Sequence, residues 1–325
     1  MSAIVLRIGV SDSDRVRPLL DRQVTIAGVE PVFEVMPVQA LFNKQLTEHV
    51  FDCCELPLTT YLRTLETSAR PYLAVPVFPS RHFRFSCVFI HAGSGIRNPA
   101  ELAGKRIGIP VFDMAAAVWL RGIFAEHFGL ERTAPIYVSG GLEEARRGEE
   151  HPQHYPAKFR VEHVTDRSLA DLLATGDIDA LYTARAPSTW PSPNVERLFP
   201  DPIAAELRYF EETRIFPPMH IVAVKRPLAE RHPGLTRSVF DAFASAQRVA
   251  QAKLADSAAL GVMLPWLLEH FRFTEQKIGR DYWPVGFSKN RATLEVIIRY
   301  MLCDGLIRTT LLPEDLFAGA DILAT

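Results

Sequence analysis

The chain has 325 residues, of which 48% are hydrophobic and 23% are charged, and its formal net charge is −2. This composition is typical of a globular protein with about two domains and enough length for a full hydrophobic core. The near-zero net charge excludes a global basic field for nucleic acid or an anionic membrane surface, so anion binding must come from local clusters.

Short apolar segments alternate with helical segments at the start of the chain. Strands are predicted at 4–10, 31–38 and 51–57, and segments with helical spacing follow them at 16–24, 40–50 and 58–68. This alternation favours a mostly parallel sheet covered by helices. A long strand candidate comes next, at 75–91.

The second part of the chain continues the α/β pattern. A short helix, a turn and a strand are predicted over 98–110, a helix over 114–129, a solvated loop over 139–167, a strand over 216–227, and helices over 234–255, 257–271 and 290–307. The order predicts two lobes, one formed by 1–90 with 215–325 and the other by the inserted 91–214. A ligand is expected between them, beyond the carboxyl ends of the strands.

The first residues, MSAIVLRIGV, lead directly into a predicted strand. They lack the basic region, apolar stretch and cleavage site of a signal peptide, and no segment of the chain approaches 18 uninterrupted apolar residues. The four cysteines show no zinc spacing and are interpreted as buried thiols of a reducing compartment: Cys53, Cys54, Cys87 and Cys303. Together these features predict a cytoplasmic protein.

The strand candidate at 75–91 carries unusual positive charge. Strand alternation would put one polar and cationic set of side chains on a single face: Ser80, His82, Arg84 and Ser86. Arg81 breaks the alternation. Such a face suits a carboxylated ligand, because a guanidinium can bind a carboxylate with two hydrogen bonds. A solvent-exposed antiparallel strand explains the same alternation without any ligand.

Further candidate site residues stand near predicted strand ends or on the 114–129 helix: Arg15, Glu55, Trp119, Arg121 and His220. Each has a structural alternative; Glu55, for example, precedes a predicted helix and is placed to cap it. His151 and His154 have a spacing that in a charged loop usually indicates solvent exposure. No phosphate loop or nucleophile elbow is present, and because no set of metal ligands is visible, no metal is expected.

Several segments together resemble the 4,5-dihydroxyphthalate decarboxylases, relatives of the periplasmic solute-binding proteins with the type II two-lobe fold. The most specific are PVFPSRHFRFS at 76–86, TRIFPPMHIV at 213–222 and GRDYWPVGFSKNR at 279–291. DR at 14–15, FDCCEL at 51–56, AAAVWLRGI at 115–123 and GDIDALYT at 176–183 also match in place, and NPAELAGKRIGIP at 98–110 is common to the wider binding-protein fold.

The resemblance implies cofactor-free removal of one carboxylate from a dihydroxyphthalate, leaving protocatechuate. The reaction needs a general acid, a partner for the phenol and a clamp for the retained carboxylate. We assign His220 as the proton donor, Glu55 as the partner of a phenolic hydroxyl, and Arg81 and Arg84 as the clamp. Ser80, Ser86, Arg15, Trp119 and Arg121 are expected to bind substrate as well.

The chain departs from the family pattern at four positions. Phe85 replaces a histidine, Val111 and Phe112 replace a Glu-Tyr pair, and Ala115 replaces a threonine. These changes remove polar groups and favour a different, less polar aromatic acid as substrate.

Two function classes remain open at this point. The first is the decarboxylase, acting on a small aromatic carboxylate without nucleic acid or membrane partners, as a monomer or a homo-oligomer. The second is a solute-binding protein of a transporter or sensor, which the same fold supports. A thiamine-precursor synthase of this fold is disfavoured, since no cysteine-rich iron-binding stretch is present.

Overall fold

The computed structural model describes residues 3–146, 155–317 and 319–325. The chain divides into two compact units, the first formed by Met1–Arg81, Pro218–Glu295 and Leu311–Thr325 and the second by His82–Pro217 and Val296–Thr310. The second unit therefore takes in residues 82–90, 215–217 and 296–310, which the sequence analysis assigns to the first lobe. His151, His154 and part of the loop predicted at 139–167 lie outside the described residues.

The strands of the described ranges are short. They are β1 Ile4–Val10, β2 Val29–Val35, β3 Cys53–Pro57, β4 Tyr72–Val75, β5 Val88–His91, β6 Arg106–Ile109, β7 Ile136–Ser139, β8 Arg160–His163, β9 Ala180–Tyr182, β10 Val195–Arg197 and β11 His220–Lys225.

The helices cover the sheets. They are α1 Arg17–Leu20, α2 Val38–Glu48, α3 Leu58–Thr64, α4 Ala115–Phe128, α5 Leu169–Thr175, α6 Pro202–Thr213, α7 Arg226–Arg231, α8 Leu235–Ala255, α9 Leu267–Ile278, α10 Arg291–Asp304 and α11 Ala320–Leu323. Short 3₁₀ turns occur at Phe85–Cys87, Ala92–Ser94, Pro99–Leu102 and Pro313–Leu316. Within the described ranges, every helix is too short or too polar to cross a lipid bilayer.

The sheet of the first unit is mixed, with the strand order β2-β1-β3-β11-β4. Strand β1 runs parallel to both β2 and β3. Strand β11 runs antiparallel to both β3 and β4. Because β11 runs antiparallel to β3, its first residue, His220, pairs with the last residue of β3, Pro57.

The sheet of the second unit is also mixed, with the order β10-β5-β9-β6-β7-β8. Strands β9, β6, β7 and β8 are parallel neighbours. Strand β5 is antiparallel to both β9 and β10. The α/β class and the mostly parallel sheets expected from the sequence are confirmed, with one strand running opposite to the rest in each sheet, β11 in the first and β5 in the second.

The strand predicted at 75–91 is not one strand. Strand β4 ends at Val75, β5 begins only at Val88, and a 3₁₀ turn lies between them. Pro76 and Pro79 lack the N–H groups that a central strand needs, and Arg84 has a left-handed backbone with φ of 78°. The predicted common face for Ser80, His82, Arg84 and Ser86 is therefore wrong.

Other elements match the sequence prediction unevenly. The strand predicted at 4–10 is confirmed, and the helices predicted over 114–129, 234–255 and 290–307 form over 115–128, 235–255 and 291–304. The helix predicted over 257–271 instead begins at Leu267, after Pro265, and continues to Ile278. Helix α6 was not predicted, although Asp201 caps it and Pro202 occupies its first turn, which are both start signals.

The cysteines are free thiols, and Cys303 differs from the other three. Cys53, Cys54 and Cys87 are buried as expected, whereas Cys303 is exposed on helix α10. The prediction that all four are buried is therefore wrong. Cys303 lies one position before the buried Asp304, about 100° around the same helix, and its side chain reaches solvent.

Helix α2 packs closely on strand β1 because Gly9 has no side chain. A Cβ atom at Gly9 would lie only 2.6 Å from Cδ1 of Leu41 and 2.7 Å from Cδ2 of Phe51. Both of these side chains are fully buried. This contact sets the position of α2, which carries Phe42 toward the end of the sheet.

Candidate active site

Two polar side chains meet at one end of the first sheet. Glu55 belongs to β3, and His220 is the first residue of β11. The antiparallel register pairs His220 with Pro57 and Val222 with Glu55. Residues two apart on a strand share a face, so Glu55 and His220 are diagonal neighbours on the same face.

The Glu55 carboxylate is buried and accepts several hydrogen bonds. Its Oε1 lies 2.5 Å from Nδ1 of His220. Its Oε2 accepts a bond of 2.6 Å from the Ser11 hydroxyl and one of 3.2 Å from the Ser11 backbone N–H. Ser11 directly follows β1, and because β1 and β3 are parallel neighbours, their carboxyl ends meet at this edge.

These contacts determine the charge of Glu55. Burial opposes ionisation, but the hydrogen bond and positive charge of His220, together with the two bonds from Ser11, outweigh burial and lower the pKa of Glu55. An ionised carboxylate only accepts hydrogen bonds, so Nδ1 of His220 must carry the proton that they share. The other ring nitrogen, Nε2, is left for a ligand.

Phe42 fixes the imidazole from another side. Its ring centre lies 4.9 Å from that of His220, in an edge-to-face arrangement with an interplanar angle of 86°. Aromatic pairs prefer this geometry. His220 is thus oriented by both a hydrogen bond and a ring contact, and its side chain remains 16% exposed.

His220 and Glu55 line a pocket of about 580 Å³ in the first unit. One part of its wall is polar and includes Ser11, Asp12, Ser13, Arg15 and Ser80. Another part is apolar and comes from the end of β2, the start of α2 and the two residues that join them: Val35, Met36, Pro37 and Val38. A pocket with an apolar wall and a few convergent polar groups suits a flat, carboxylated molecule.

Arg15 supplies the positive charge of this pocket. Its Nε donates to the carbonyl of Pro79 at 2.9 Å, and its Nη1 lies 2.7 Å from Oδ1 of Asp14. The guanidinium carbon lies 4.5 Å from the ring centre of Trp283. Trp283 is itself fixed, since its Nε1 donates to the carbonyl of Phe78 at 2.9 Å.

Arg81 has a different environment from the one expected. It is 5% exposed, and its Nη2 donates to the carbonyl of Pro284 at 2.9 Å and to Oδ1 of Asn290. Burial lowers the pKa of Arg81 to about 9. Arg81 does not belong to the lining of the described pocket; its contacts hold the 284–290 segment in place, and the clamp role stays a prediction.

Three members of the predicted polar and cationic face, His82, Arg84 and Ser86, lie in the second unit, whereas Ser80 lies in the first. Nη1 of Arg84 donates to the carbonyl of Ala184 at 2.7 Å. Burial, together with Arg84, lowers the pKa of His82 to about 4, and Nδ1 of His82 accepts from the Arg84 N–H at 3.1 Å. The Ser86 N–H donates to Glu206 at 3.2 Å, and burial raises the pKa of that carboxyl to about 7.

Trp119 and Arg121 lie in the core of the second unit. They are 0% and 2% exposed, respectively. Arg121 forms a buried ion pair of 2.8 Å with Asp304, donates to the carbonyl of Phe112 at 2.9 Å, and stacks on the Phe112 ring. These contacts give Arg121 a structural role, and its predicted substrate contact has no support in the described geometry.

Three of the four departures from the family pattern, Phe85, Phe112 and Ala115, are also core residues. Phe85 is fully buried and packs on an aromatic cluster formed by Phe124, Phe128, Phe199 and Tyr209. Phe112 is fully buried and its ring contacts Tyr137 and Phe159. Ala115 is 5% exposed and Val111 is 36% exposed. At positions 85 and 112 the departures alter packing in the core.

Sequence reasoning missed Ser11, which donates to Glu55, and Phe42, which contacts the His220 ring. Ser11 carried one usable signal, its position directly after a predicted strand, where ligands collect in α/β sheets. Phe42 stands among apolar residues of a predicted helix, and no sequence signal marks it as a site residue. No cluster of three or more His, Cys, Asp or Glu side chains able to hold a metal occurs in the parts of the chain that the structure describes.

Solved structures with a similar fold include sulphonate-binding proteins. The aliphatic sulphonate binding protein SsuA from Escherichia coli matches with a TM-score of 0.53 at 14% identity, over 98% of this chain and 93% of that one. The alkanesulfonate-binding protein SsuA from Xanthomonas axonopodis pv. citri, solved with MOPS bound, matches with a TM-score of 0.53 at 14% identity, over 98% and 99%. The chain therefore has the periplasmic-binding-protein-like fold.

Relatives of known activity are more similar in sequence. No protein-family model matches the chain. A 4,5-dihydroxyphthalate decarboxylase from Pseudomonas putida is 38% identical over 208 residues, 63% of this chain and 81% of that protein. A second, from Comamonas testosteroni, is 36% identical over 325 residues, which are 99% of this chain and 98% of that protein. At this identity and coverage, the chain belongs to the 4,5-dihydroxyphthalate decarboxylase family.

Proposed function

We propose that the chain is a cofactor-independent decarboxylase of a hydroxylated aromatic acid, with 4,5-dihydroxyphthalate as the first candidate substrate. Membership of the family supports the reaction class. The observation that carries the proposal is the 2.5 Å hydrogen bond between Nδ1 of His220 and the buried Glu55 carboxylate, at the wall of a pocket. This pair has the composition of a general acid with its orienting partner.

His220 is the proposed proton donor. A hydroxyl group para to the leaving carboxylate pushes electron density to the ring carbon that bears this carboxylate. That carbon takes the proton from Nε2 of the imidazolium, the bond to the carboxylate carbon breaks, and its electron pair restores the aromatic ring as CO₂ leaves. The neutral imidazole then recovers a proton from water, so the overall reaction consumes one proton and releases one CO₂.

Glu55 has a revised role in this scheme. The sequence suggested that it would bind a phenolic hydroxyl, but both of its oxygens already accept hydrogen bonds from protein groups. We assign it to hold the Nδ1 proton and to stabilise the imidazolium. The ionised Glu55 carboxylate accepts the Nδ1 proton, which leaves Nε2 as the ring nitrogen that exchanges a proton with the substrate.

Arg15 is the proposed binding group for the retained carboxylate. It lines the same pocket as His220, and two of its nitrogens are anchored by the Pro79 carbonyl and Asp14. An anchored guanidinium binds a carboxylate with little loss of side-chain entropy. The apolar segment 35–38 is the proposed wall for the aromatic ring, and Ser80 is a further polar contact.

A screen for CO₂ release tests the proposal. The purified protein is incubated with 4,5-dihydroxyphthalate and a panel of hydroxylated benzoates and phthalates, in the presence of a chelator. We expect CO₂ and the corresponding decarboxylated phenol from at least one dihydroxylated acid. Tight binding of such an acid without any turnover would instead identify a binding protein, the function class of the SsuA structures.

The cytoplasmic location stays a prediction, which cell fractionation tests. A homo-oligomer also stays open, and light scattering of the purified protein determines it. Periplasmic recovery of the protein would argue against the decarboxylase and for solute binding.

A further inference from the structure

Ser11 contacts the Glu55 carboxylate twice. Its hydroxyl donates to Oε2 at 2.6 Å, and its backbone N–H donates to the same oxygen at 3.2 Å. Oε1 is occupied by His220. A buried carboxylate with a single donor is free to rotate about its last torsion, but donors on both oxygens leave it one orientation.

We propose that Ser11 is a positioning residue of the reaction: it fixes Glu55 so that Oε1 faces Nδ1 of His220 and Nε2 faces the substrate. The inference rests on the proposed function, since it assigns His220 as the proton donor. Ser11 acts through Glu55 and requires no contact with the reacting atoms.

Because the Glu55 carboxylate is buried, its ionisation depends on the hydrogen bonds that Ser11 donates. Glu55 is 2% exposed, so water cannot readily replace a donor that is removed from Oε2. An ionised carboxylate that loses a donor in such a site becomes easier to protonate. Protonated Glu55 would no longer require Nδ1 of His220 to be the donor, and the imidazole would lose its fixed tautomer.

The groups facing Glu55 from the elements packed around it are few. His220 faces it from β11 and Ser11 from the end of β1. Cys54, the preceding residue on β3, has a thiol pKa raised far above its ordinary value by burial and stays neutral. Asp12 and Arg15 line the same pocket, and each pairs with another residue, Arg17 and Asp14 respectively.

The chain contains a matched pair for comparison. Ser188 donates to Glu143 through both its hydroxyl, at 2.5 Å, and its backbone N–H, at 3.1 Å. This pair has the same two-bond pattern but is exposed and lies in the second unit. Ser188→Ala therefore removes the same kind of bond at a position far from the proposed chemistry.

The kinetic arm compares Ser11→Ala with Ser188→Ala in the full chain. For Ser11→Ala we expect kcat to fall about 10-fold, which corresponds to the loss of one hydrogen bond to a charged group, with KM changing much less. The acidic limb of the pH–kcat profile should move to higher pH, because Glu55 without the Ser11 hydroxyl is protonated more easily. Ser11→Thr, which keeps a hydroxyl, should restore most of kcat, and Ser188→Ala should leave the profile unchanged.

A spectroscopic arm does not depend on turnover. The Nδ1–H···Oε1 proton should give a low-field ¹H resonance that disappears in Glu55→Gln. We expect it to shift or broaden in Ser11→Ala and to stay in place in Ser188→Ala. If Ser11→Ala does not fold, Ser11→Cys keeps the size of the side chain and replaces the hydroxyl by a weak donor.

The two arms separate the possible failures. An unchanged resonance and an unchanged pH profile in Ser11→Ala would overturn the positioning role. A wild-type protein without decarboxylase activity would overturn the proposed function, while the resonance still decides whether Ser11 orients the pair.

Discussion

The guanidinium of Arg15 lies over the face of Trp283, with its central carbon 4.5 Å from the ring centre. The two residues are far apart in the chain, yet both belong to the first unit. Trp283 keeps its ring plane through a hydrogen bond to the Phe78 carbonyl, and Gln247 donates to the Trp283 carbonyl at 2.6 Å. The tryptophan thus holds the charged group that faces the pocket.

Trp283→Leu should therefore weaken substrate binding. A cation–π contact contributes about 0.5–2 kcal/mol, which corresponds to a KM increase of roughly 2- to 30-fold. We expect kcat to change less than KM, because Arg15 is assigned to binding. Trp266, which is 75% exposed, offers the matched control, and Trp266→Leu should leave KM unchanged. Equal effects of the two changes would argue against a binding role for Arg15.

His220→Gln tests the proton donor. Glutamine keeps a hydrogen-bonding group next to Glu55 but cannot transfer a proton at neutral pH. Positioned acid–base groups contribute about 10²–10⁴-fold in rate, so kcat should fall within that range while substrate still binds. His270→Gln, at an exposed position, is the control. A lower melting temperature with kcat nearly intact would make His220 a structural residue.

Glu55 should link stability to pH. Burial is the largest single effect on Glu55 and opposes its ionisation. The His220 and Ser11 contacts together outweigh burial and lower the pKa of Glu55 below its ordinary value of 4.5. A carboxylate of this kind stabilises the folded state above pH 4.5, and this contribution is lost as the pH falls through its folded-state pKa. Thermal unfolding of wild type and Glu55→Gln should differ most near pH 7, and the difference should narrow below pH 4.5. A gap independent of pH would contradict the lowered pKa.

Arg81 should matter more for stability than for binding. Arg81→Met keeps the apolar stem but removes the donor to Oδ1 of Asn290 and leaves the Pro284 carbonyl with the Asn290 Nδ2 donor, at a cost of about 1–3 kcal/mol. We expect a lower melting temperature with KM changed less than about twofold. Asn290→Ala should have a similar effect, and the double variant should lose less than the sum. A large rise in KM at unchanged stability would restore Arg81 to the substrate clamp.

Phe85→His tests whether this departure from the family pattern affects substrate choice. The Phe85 ring is fully buried among aromatic side chains, so a histidine at this position would bury its polar ring nitrogens among phenylalanine rings. We expect a loss of about 1–3 kcal/mol in unfolding free energy and unchanged relative rates across the substrate panel. A shift in substrate preference at constant stability would show that position 85 does reach the substrate.

Local patterns predicted the elements that are regular over several residues. The strand at 4–10 and the helix at 235–255 have clear periodicity, and they form as expected. The alternation from Ser80 to Ser86 was misleading, because two prolines and the left-handed backbone of Arg84 interrupt the segment before any strand pairing can form. Periodicity of side chains alone does not reveal whether the backbone groups have partners.

The candidate site was only partly visible in the sequence. Glu55 and His220 were singled out separately, but their contact depends on the register between β3 and β11, which no local pattern specifies. Arg81 and Arg121 looked like ligand-binding cations because their types suit a carboxylate. Their actual partners, Asn290 and Asp304, lie far away in the chain, and only the fold brings them together.

The separation of Glu55 from His220 affects how the protein is made. His220 is synthesised 165 residues after Glu55, which at about 5–20 residues per second is roughly 8–33 seconds of translation. During this interval β3 can pair with β1 but not with β11, and an ionised carboxylate is not buried without its partner. The end of β3 should therefore stay hydrated on the ribosome. Nascent chains arrested before residue 220 are expected to be cleaved by protease near Glu55, and chains released at full length are expected to be protected there.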